Sequence, residues 1–162
     1  MARFLSFPNP VDEVSARLVA GGVVGLGAAA LVGQNTLVLA LLAYGFLARV
    51  LTGPTLSPLG QVVTRVVRPR LRVAARPVPG PPKRFAQSIG SVFSTGALLL
   101  HLAGAIGASQ LVLGVLVAFA TLESVFGFCM GCTVFGWLMR AGLIPASVCE
   151  DCGDLSRRLH VT

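Results

Sequence analysis

Apolar positions in this chain fall into four runs, over residues 16–33, 36–52, 85–106 and 110–128. A helix needs about 20 apolar residues to cross the hydrocarbon core of a bilayer. The first two runs reach that length only with their flanking residues, so a re-entrant hairpin is the alternative for that pair. Two short uncharged turns, 33–36 and 107–110, separate the runs within each pair. Gly21 and Gly25 in the first run, and Gly90 and Ser94 in the third, stand four apart and predict faces where helices pack closely.

The stretch between the pairs has a different pattern. Leu59, Val62, Val63, Val66 and Val67 recur at the spacing of one helix face, with Gln61, Arg65, Arg68 and Arg72 on another. This predicts an amphipathic helix over 58–72, lying along the membrane surface and interrupted near Pro69. Residues 76–83, RPVPGPPK, read as a stiff proline-rich connector. At the start of the chain, Asn9 reads as a helix cap with Pro10 in the first helical position and Asp12 and Glu13 in the first turn. Glu13 and Arg17 are spaced to pair along that helix. Two acids and no compact basic cluster in this lead favour a retained anchor over a cleaved signal.

Composition agrees with lipid as the main solvent. The chain is 54% apolar and 12% charged, with a mean hydropathy of +0.82, whereas soluble domains carry about 25% charged residues. The 162 residues read as one domain. The net charge is +7, and seven of the thirteen basic residues fall between 65 and 84. No aromatic residue interleaves them, which argues against nucleic acid and for a loop facing anionic lipid. The positive-inside rule then places this loop and both termini in the cytoplasm, with the chain crossing the inner membrane several times. The fold class is an all-α membrane protein. It has four transmembrane helices, one interfacial amphipathic helix and a short cysteine-bearing tail over 129–162.

All four cysteines lie late in the chain, as Cys129-x-x-Cys132 and Cys149-x-x-Cys152, sixteen residues apart. That spacing matches a tetrathiolate zinc site, closed and structural. Glu150, Asp151 and Asp154 would attract a cation and raise the pKa of the second pair. The rival chemistry is thiol–disulfide exchange or sulfur transfer between the two pairs, which needs no cofactor and is the favoured reading. It sets a geometric condition. Cβ atoms three apart on an unbroken helix lie ~5–6 Å from each other, and a disulfide needs ~3.5–4.5 Å. The chain must therefore bend or end a helix near Gly127 or Gly131. A reducing cytosol argues against stable structural disulfides here.

Two ionisable groups interrupt the apolar runs. Glu123 lies thirteen residues from Gln110 and Arg49 thirteen from Thr36, both counted from the uncharged turns. Equal depth predicts a buried Arg49–Glu123 ion pair that orients the second helix against the fourth. His101 lies five residues from its turn and is expected to be hydrogen-bonded or wet. Gln87, Ser88, Ser91, Ser94 and Thr95 give the third helix a partial polar stripe, the basis of a third alternative, transport of a small sulfur species. Trp137 and Arg140 read as interface anchors. No Ser/His/Asp constellation is present, since His101 and His160 fall at opposite ends of this topology, and there is no phosphate-binding loop.

The segments NPVDEVSARLVAG, GPTLSPLGQ, PGPPKRFAQSIG and FCMGCTVFGWLMRAGLIPASVCEDC resemble the bacterial family catalogued as domain of unknown function 4395, over roughly residues 9–153. The cysteine segment is the most specific part. The resemblance implies an integral membrane protein without an established activity. It also implies a link to thioredoxin-like proteins or sulfurtransferases as partners. Membrane lipid is the other expected partner, and the glycine faces could equally serve a homo-oligomer.

Overall fold

The computed structural model describes residues 7–149. In chain order the elements are β1 (Val11–Asp12), α1 (Glu13–Gly33), α2 (Thr36–Thr52) and α3 (Pro58–Val62). A π-helical turn (Val63–Val67), α4 (Arg68–Arg70) and β2 (Pro77–Val78) follow. The chain continues with α5 (Gly80–Leu102), α6 (Ile106–Thr121), a second π-helical turn (Leu122–Phe126) and α7 (Met130–Arg140), then a 3-10 turn (Ala146–Val148).

Three helical stretches are long and apolar enough to cross a membrane: Glu13–Gly33, Gly80–Leu102 and Ile106–Phe126. Thr36–Thr52 is a shorter apolar helix of seventeen residues. The four pack in a closed ring, each of α1 and α5 touching both α2 and α6, and α7 lies against α5. Large apolar side chains point outward, among them Val32, Leu37, Leu47, Val92, Leu99 and Leu111. The interior mixes larger side chains, Leu39, Leu42, Phe46, Leu113 and Leu116, with small ones, Ala30, Ala43, Ala97, Ala120, Ser94 and Ser109, all buried. An exposed apolar surface with small residues at the helix contacts is the arrangement of helices packed in lipid, where close backbone approach supplies attraction.

Glycine makes the closest of these approaches. A Cβ at Gly90 would stand 2.2 Å from the ring of Phe46 on α2, and one at Gly27 would stand 2.4 Å from Val117 on α6. The Gly90–Ser94 face therefore lies inside the bundle. The Gly21–Gly25 face does so only in part: Gly21 approaches Ser124, but Gly25 is exposed and touches nothing. The close contacts of α1 are made by Gly27 and Gly22, the latter against Leu59.

Several boundaries differ from the sequence expectation. α5 starts at Gly80 rather than 85, because Pro81 and Pro82 fall in its first turn, where no N–H is needed and the fixed φ suits a helix. The second uncharged turn is residues 103–105, and Ser109 lies inside α6, its hydroxyl donating to the Ala97 carbonyl at 2.7 Å. α1 begins at Glu13 under an Asp12 cap, not at Pro10: Ser15 donates its N–H and its hydroxyl to the Asp12 carboxylate. Asn9 instead accepts from the Gly80 N–H at 3.0 Å. The Asn9–Pro10 peptide is cis.

The amphipathic helix runs from Pro58 to Arg70, and its π turn sits just before Pro69. Proline crowds the carbonyl four residues back. The backbone widens there, and Arg68 N–H reaches five residues back to Val63. A two-residue antiparallel pair, Val11 with Val78 and Asp12 with Pro77, ties the chain's start to the segment after this helix. Asp12 also meets Arg68 at 2.6 Å.

Candidate functional site at the cysteine end of the bundle

The two π turns, the β1–β2 pair and the break before α7 gather at one end of the ring. The break is made by Gly127, whose φ of 71° is left-handed. Gly127 N–H returns to the Glu123 carbonyl and Phe128 N–H to the Leu122 carbonyl, a glycine-terminated helix end. Arg17 supplements it by donating to the carbonyls of Ser124 and Val125 at 2.7–3.2 Å. This is the helix end that the cysteine geometry requires.

Because α6 stops there, Cys129 lies between two helices and caps the second. Its sulfur accepts the Cys132 N–H at 3.4 Å, and the two sulfurs stand 2.7 Å apart. Cys129 is 9% exposed and Cys132 is half-buried, and both are free thiols. Hydrogen bonding from Cys132 pulls the Cys129 thiol below its ordinary pKa, against the opposing effects of burial and of the Glu123 carboxylate, and with help from the Lys83 ammonium. Donating that bond, together with burial, holds the Cys132 proton on. A helix N-terminus and a nearby cation both favour ionisation of a cysteine thiol.

The pair is seated on α5. Gly131 lies so close that a Cβ would stand 2.5 Å from the Ala86 Cα, and the Phe85 and Phe135 rings meet tilted at 58° with centroids 5.6 Å apart. One helical turn before Ala86, Lys83 is buried and bonds Glu123 at 2.6 Å. The direct partner of Glu123 is thus Lys83 rather than Arg49. Arg49, 5% exposed, donates to Gln87 at 2.9 Å and to Ser57 at 3.1 Å, and its guanidinium lies over the Phe46 ring at 4.4 Å. Arg49 and Glu123 do share a compartment. Both line a cavity of about 80 Å³, with Gln87, Cys129 and the rings of Phe46 and Phe119.

Lys83 was the residue hidden from sequence reasoning, since RPVPGPPK reads as an exposed connector. The available signal was the proline pair opening a helix. Counted from Gly80, Lys83, Gln87, Gly90 and Ser94 fall on one helix face.

Cys149 is buried and disulfide-bonded, which departs from the expectation of reduced thiols throughout this segment. Cys152, Glu150, Asp151, Asp154 and His160 lie outside the described residues. Among the described residues no three His, Cys, Asp or Glu side chains converge at metal-binding distance. Of the four cysteines expected as a relay or a zinc shell, Cys129 and Cys132 lie together. His101 bonds Thr36 at 3.1 Å at the opposite end of the ring.

The chain is therefore a helical protein with membrane-length apolar helices and a cysteine pair at one end of its bundle. The family model described as domain of unknown function DUF4395 matches residues 11–140, and the chain belongs to that family. No curated protein and no solved structure matches it.

Proposed function

We propose that this protein is a thiol–disulfide exchange component of the inner membrane, with Cys129 and Cys132 as its working dithiol. The supporting observation is that Cys129 caps α7 while accepting both the N–H and the S–H of Cys132. One sulfur is prepared as nucleophile and the other as the resolving thiol that stays protonated until needed. In this reading α1, α2, α5 and α6 all cross the bilayer, and the basic 53–80 segment holds the cysteine end and both termini in the cytoplasm.

The reacting partner is a protein disulfide on a thioredoxin-like protein or a sulfurtransferase. The Cys129 thiolate attacks one sulfur of that disulfide, forming a mixed disulfide and expelling the partner's other sulfur as a thiolate. Cys132 then loses its proton and attacks Cys129. The partner leaves with two thiols, and this protein keeps the Cys129–Cys132 disulfide. Cys149, disulfide-bonded in the structure, and Cys152 supply the second redox pair of the relay.

Thiol titration of detergent-purified protein in defined dithiol buffers, alongside metal analysis, tests the proposal. The expected result is a reversible two-electron couple of the Cys129–Cys132 pair, resolved from that of Cys149 and Cys152 by peptide mapping of the alkylated thiols, that is lost in both Cys129→Ser and Cys132→Ser. One zinc per chain, with thiols that react only after chelation, would instead establish a structural metal site. A second test uses alkylation rate against pH. Cys129 should react below the ordinary thiol range, and Cys132→Ala should move it back upward. Equal rates in the two proteins would remove the activation argument.

A further inference from the structure

Every exposed charge among the described residues is an arginine. The three acids there, Asp12, Glu13 and Glu123, are all half-buried, whereas Arg65, Arg70, Arg72, Arg76, Arg84 and Arg140 are exposed. The sequence sets Arg65, Arg68 and Arg72 on one helix face, but the structure separates them. Arg68 is spent within the protein: it meets Asp12 at 2.6 Å and donates to the Val73 carbonyl at 2.9 Å. The other carboxylate oxygen of Asp12 accepts the Arg76 N–H at 3.1 Å. One carboxylate thus closes residues 68–76 into a loop. Arg70 and Arg72 project from that loop and Arg76 stands at its base. Their side chains, and that of Arg65, make no hydrogen bond or ion pair among the described residues.

Apolar side chains stand among these arginines. Leu71 and Val73 alternate with Arg70 and Arg72, and Val62 and Val66 precede them on the helix; all four are 38–53% exposed. A surface that mixes cations with apolar groups fits a partner that is anionic outside and apolar beneath, and an anionic phospholipid leaflet is both. Single-stranded nucleic acid is held by aromatic stacking as well as charge, and no aromatic residue lies between Phe46 and Phe85.

We infer that the loop closed on Asp12 is a binding site for anionic phospholipid headgroups. Arg70, Arg72 and Arg76 take the phosphates, for which the guanidinium fork offers two parallel hydrogen bonds, and Leu71 and Val73 enter the acyl boundary. Arg65 adds charge from the helix. Arg68 holds the loop's shape and takes no phosphate. The site is independent of the cysteine chemistry, and a failed dithiol couple would leave it standing.

The test is native mass spectrometry of the full-length protein in neutral detergent, titrated with phosphatidylglycerol or phosphatidylcholine. Wild type should prefer phosphatidylglycerol at least tenfold. At about fivefold per arginine, Arg72→Gln should lose a fivefold share, and Arg70→Gln, Arg72→Gln and Arg76→Gln together about a hundredfold in affinity. Lysine at the same three positions should retain most of the preference, which guards against a folding defect. Arg140→Gln removes the same charge from another element and should leave affinity unchanged. Equal affinity for the two lipids would overturn the site, as would equal losses in Arg72→Gln and Arg140→Gln. Displacement of the lipid by inorganic phosphate at equal concentration would assign the arginines to a free anion and overturn it too. So would an RNA oligonucleotide that binds more tightly than phosphatidylglycerol.

Discussion

The two ends of the helix ring are built by different means. At the far end, α1 and α2 are closed by local devices. Gln34 takes a left-handed cap conformation and returns its N–H to Ala30, and Asn35 caps α2 through Leu37 N–H. The cross-helix additions there are the His101–Thr36 and Ser109–Ala97 bonds. At the cysteine end, local caps at Asp12, Ser57, Gly127 and Cys129 are joined by contacts between residues far apart in sequence: Asp12 to Arg68, Asn9 to Gly80, Arg17 to Ser124, Arg84 to Val50, Lys83 to Glu123. Local caps make a turn. Long-range polar contacts in an apolar surround make a site, because each buried charge fixes the place of its partner.

That contrast can be broken most severely at Lys83. Lys83→Met strands the Glu123 carboxylate and should cost about 3–5 kcal/mol, the usual penalty for half of a buried pair. Lys83→Met with Glu123→Leu should recover most of it, as measured by unfolding in detergent. If the double variant is no more stable than the single, the pair is not the organising contact. Next comes Gly131→Ala. Its new Cβ meets backbone at Ala86, which cannot rotate away, so overpacking of about 1–3 kcal/mol is expected. A changed Cys129 alkylation rate should accompany it, whereas Gly25→Ala, at an open position, should leave both readouts unmoved.

At the far end, His101→Ala removes one part-buried hydrogen bond and should cost about 1 kcal/mol, with no change in cysteine reactivity. A change there would mean the two ends are coupled. The smallest effect is expected at Asp12. Burial alone would raise its pKa, but the bonds from Arg68, Ser15 and the Arg76 N–H outweigh burial and lower it to about 2. A depressed carboxylate stabilises the fold above its unfolded pKa and loses that contribution as pH falls through the folded value. Protection of the 68–78 segment from proteolysis should therefore fade between about pH 4 and pH 2. Asp12→Asn should flatten that dependence, and parallel curves for the two proteins would assign it to other acids.

Legibility from the sequence follows the same division. The apolar runs and the Gln34–Asn35 turn can be read directly, because local composition and caps determine them. Counting depth from the turns put Arg49 and Glu123 at one level, and they do line one cavity. The same count could not reveal Lys83, which enters that level from a helix whose start is disguised as a proline linker. β1 and β2 have no periodicity to detect at two residues each. A break near Gly127 or Gly131 was legible as a condition of the dithiol reading, and the chain breaks at Gly127 while Gly131 lies inside α7. The seating of Gly131 on Ala86 depends on a partner helix some forty residues earlier in the chain, and no pattern within α7 announces it.

The left-handed Gly127 also has a meaning in time. Domains are built from the N-terminal side during synthesis, so α1, α2, α5 and α6 emerge before the cysteine pair that follows the glycine. Lys83, Ala86 and Arg49 are therefore made before Cys129, and the turn at Gly127 directs the later thiol back onto residues that precede it in the chain.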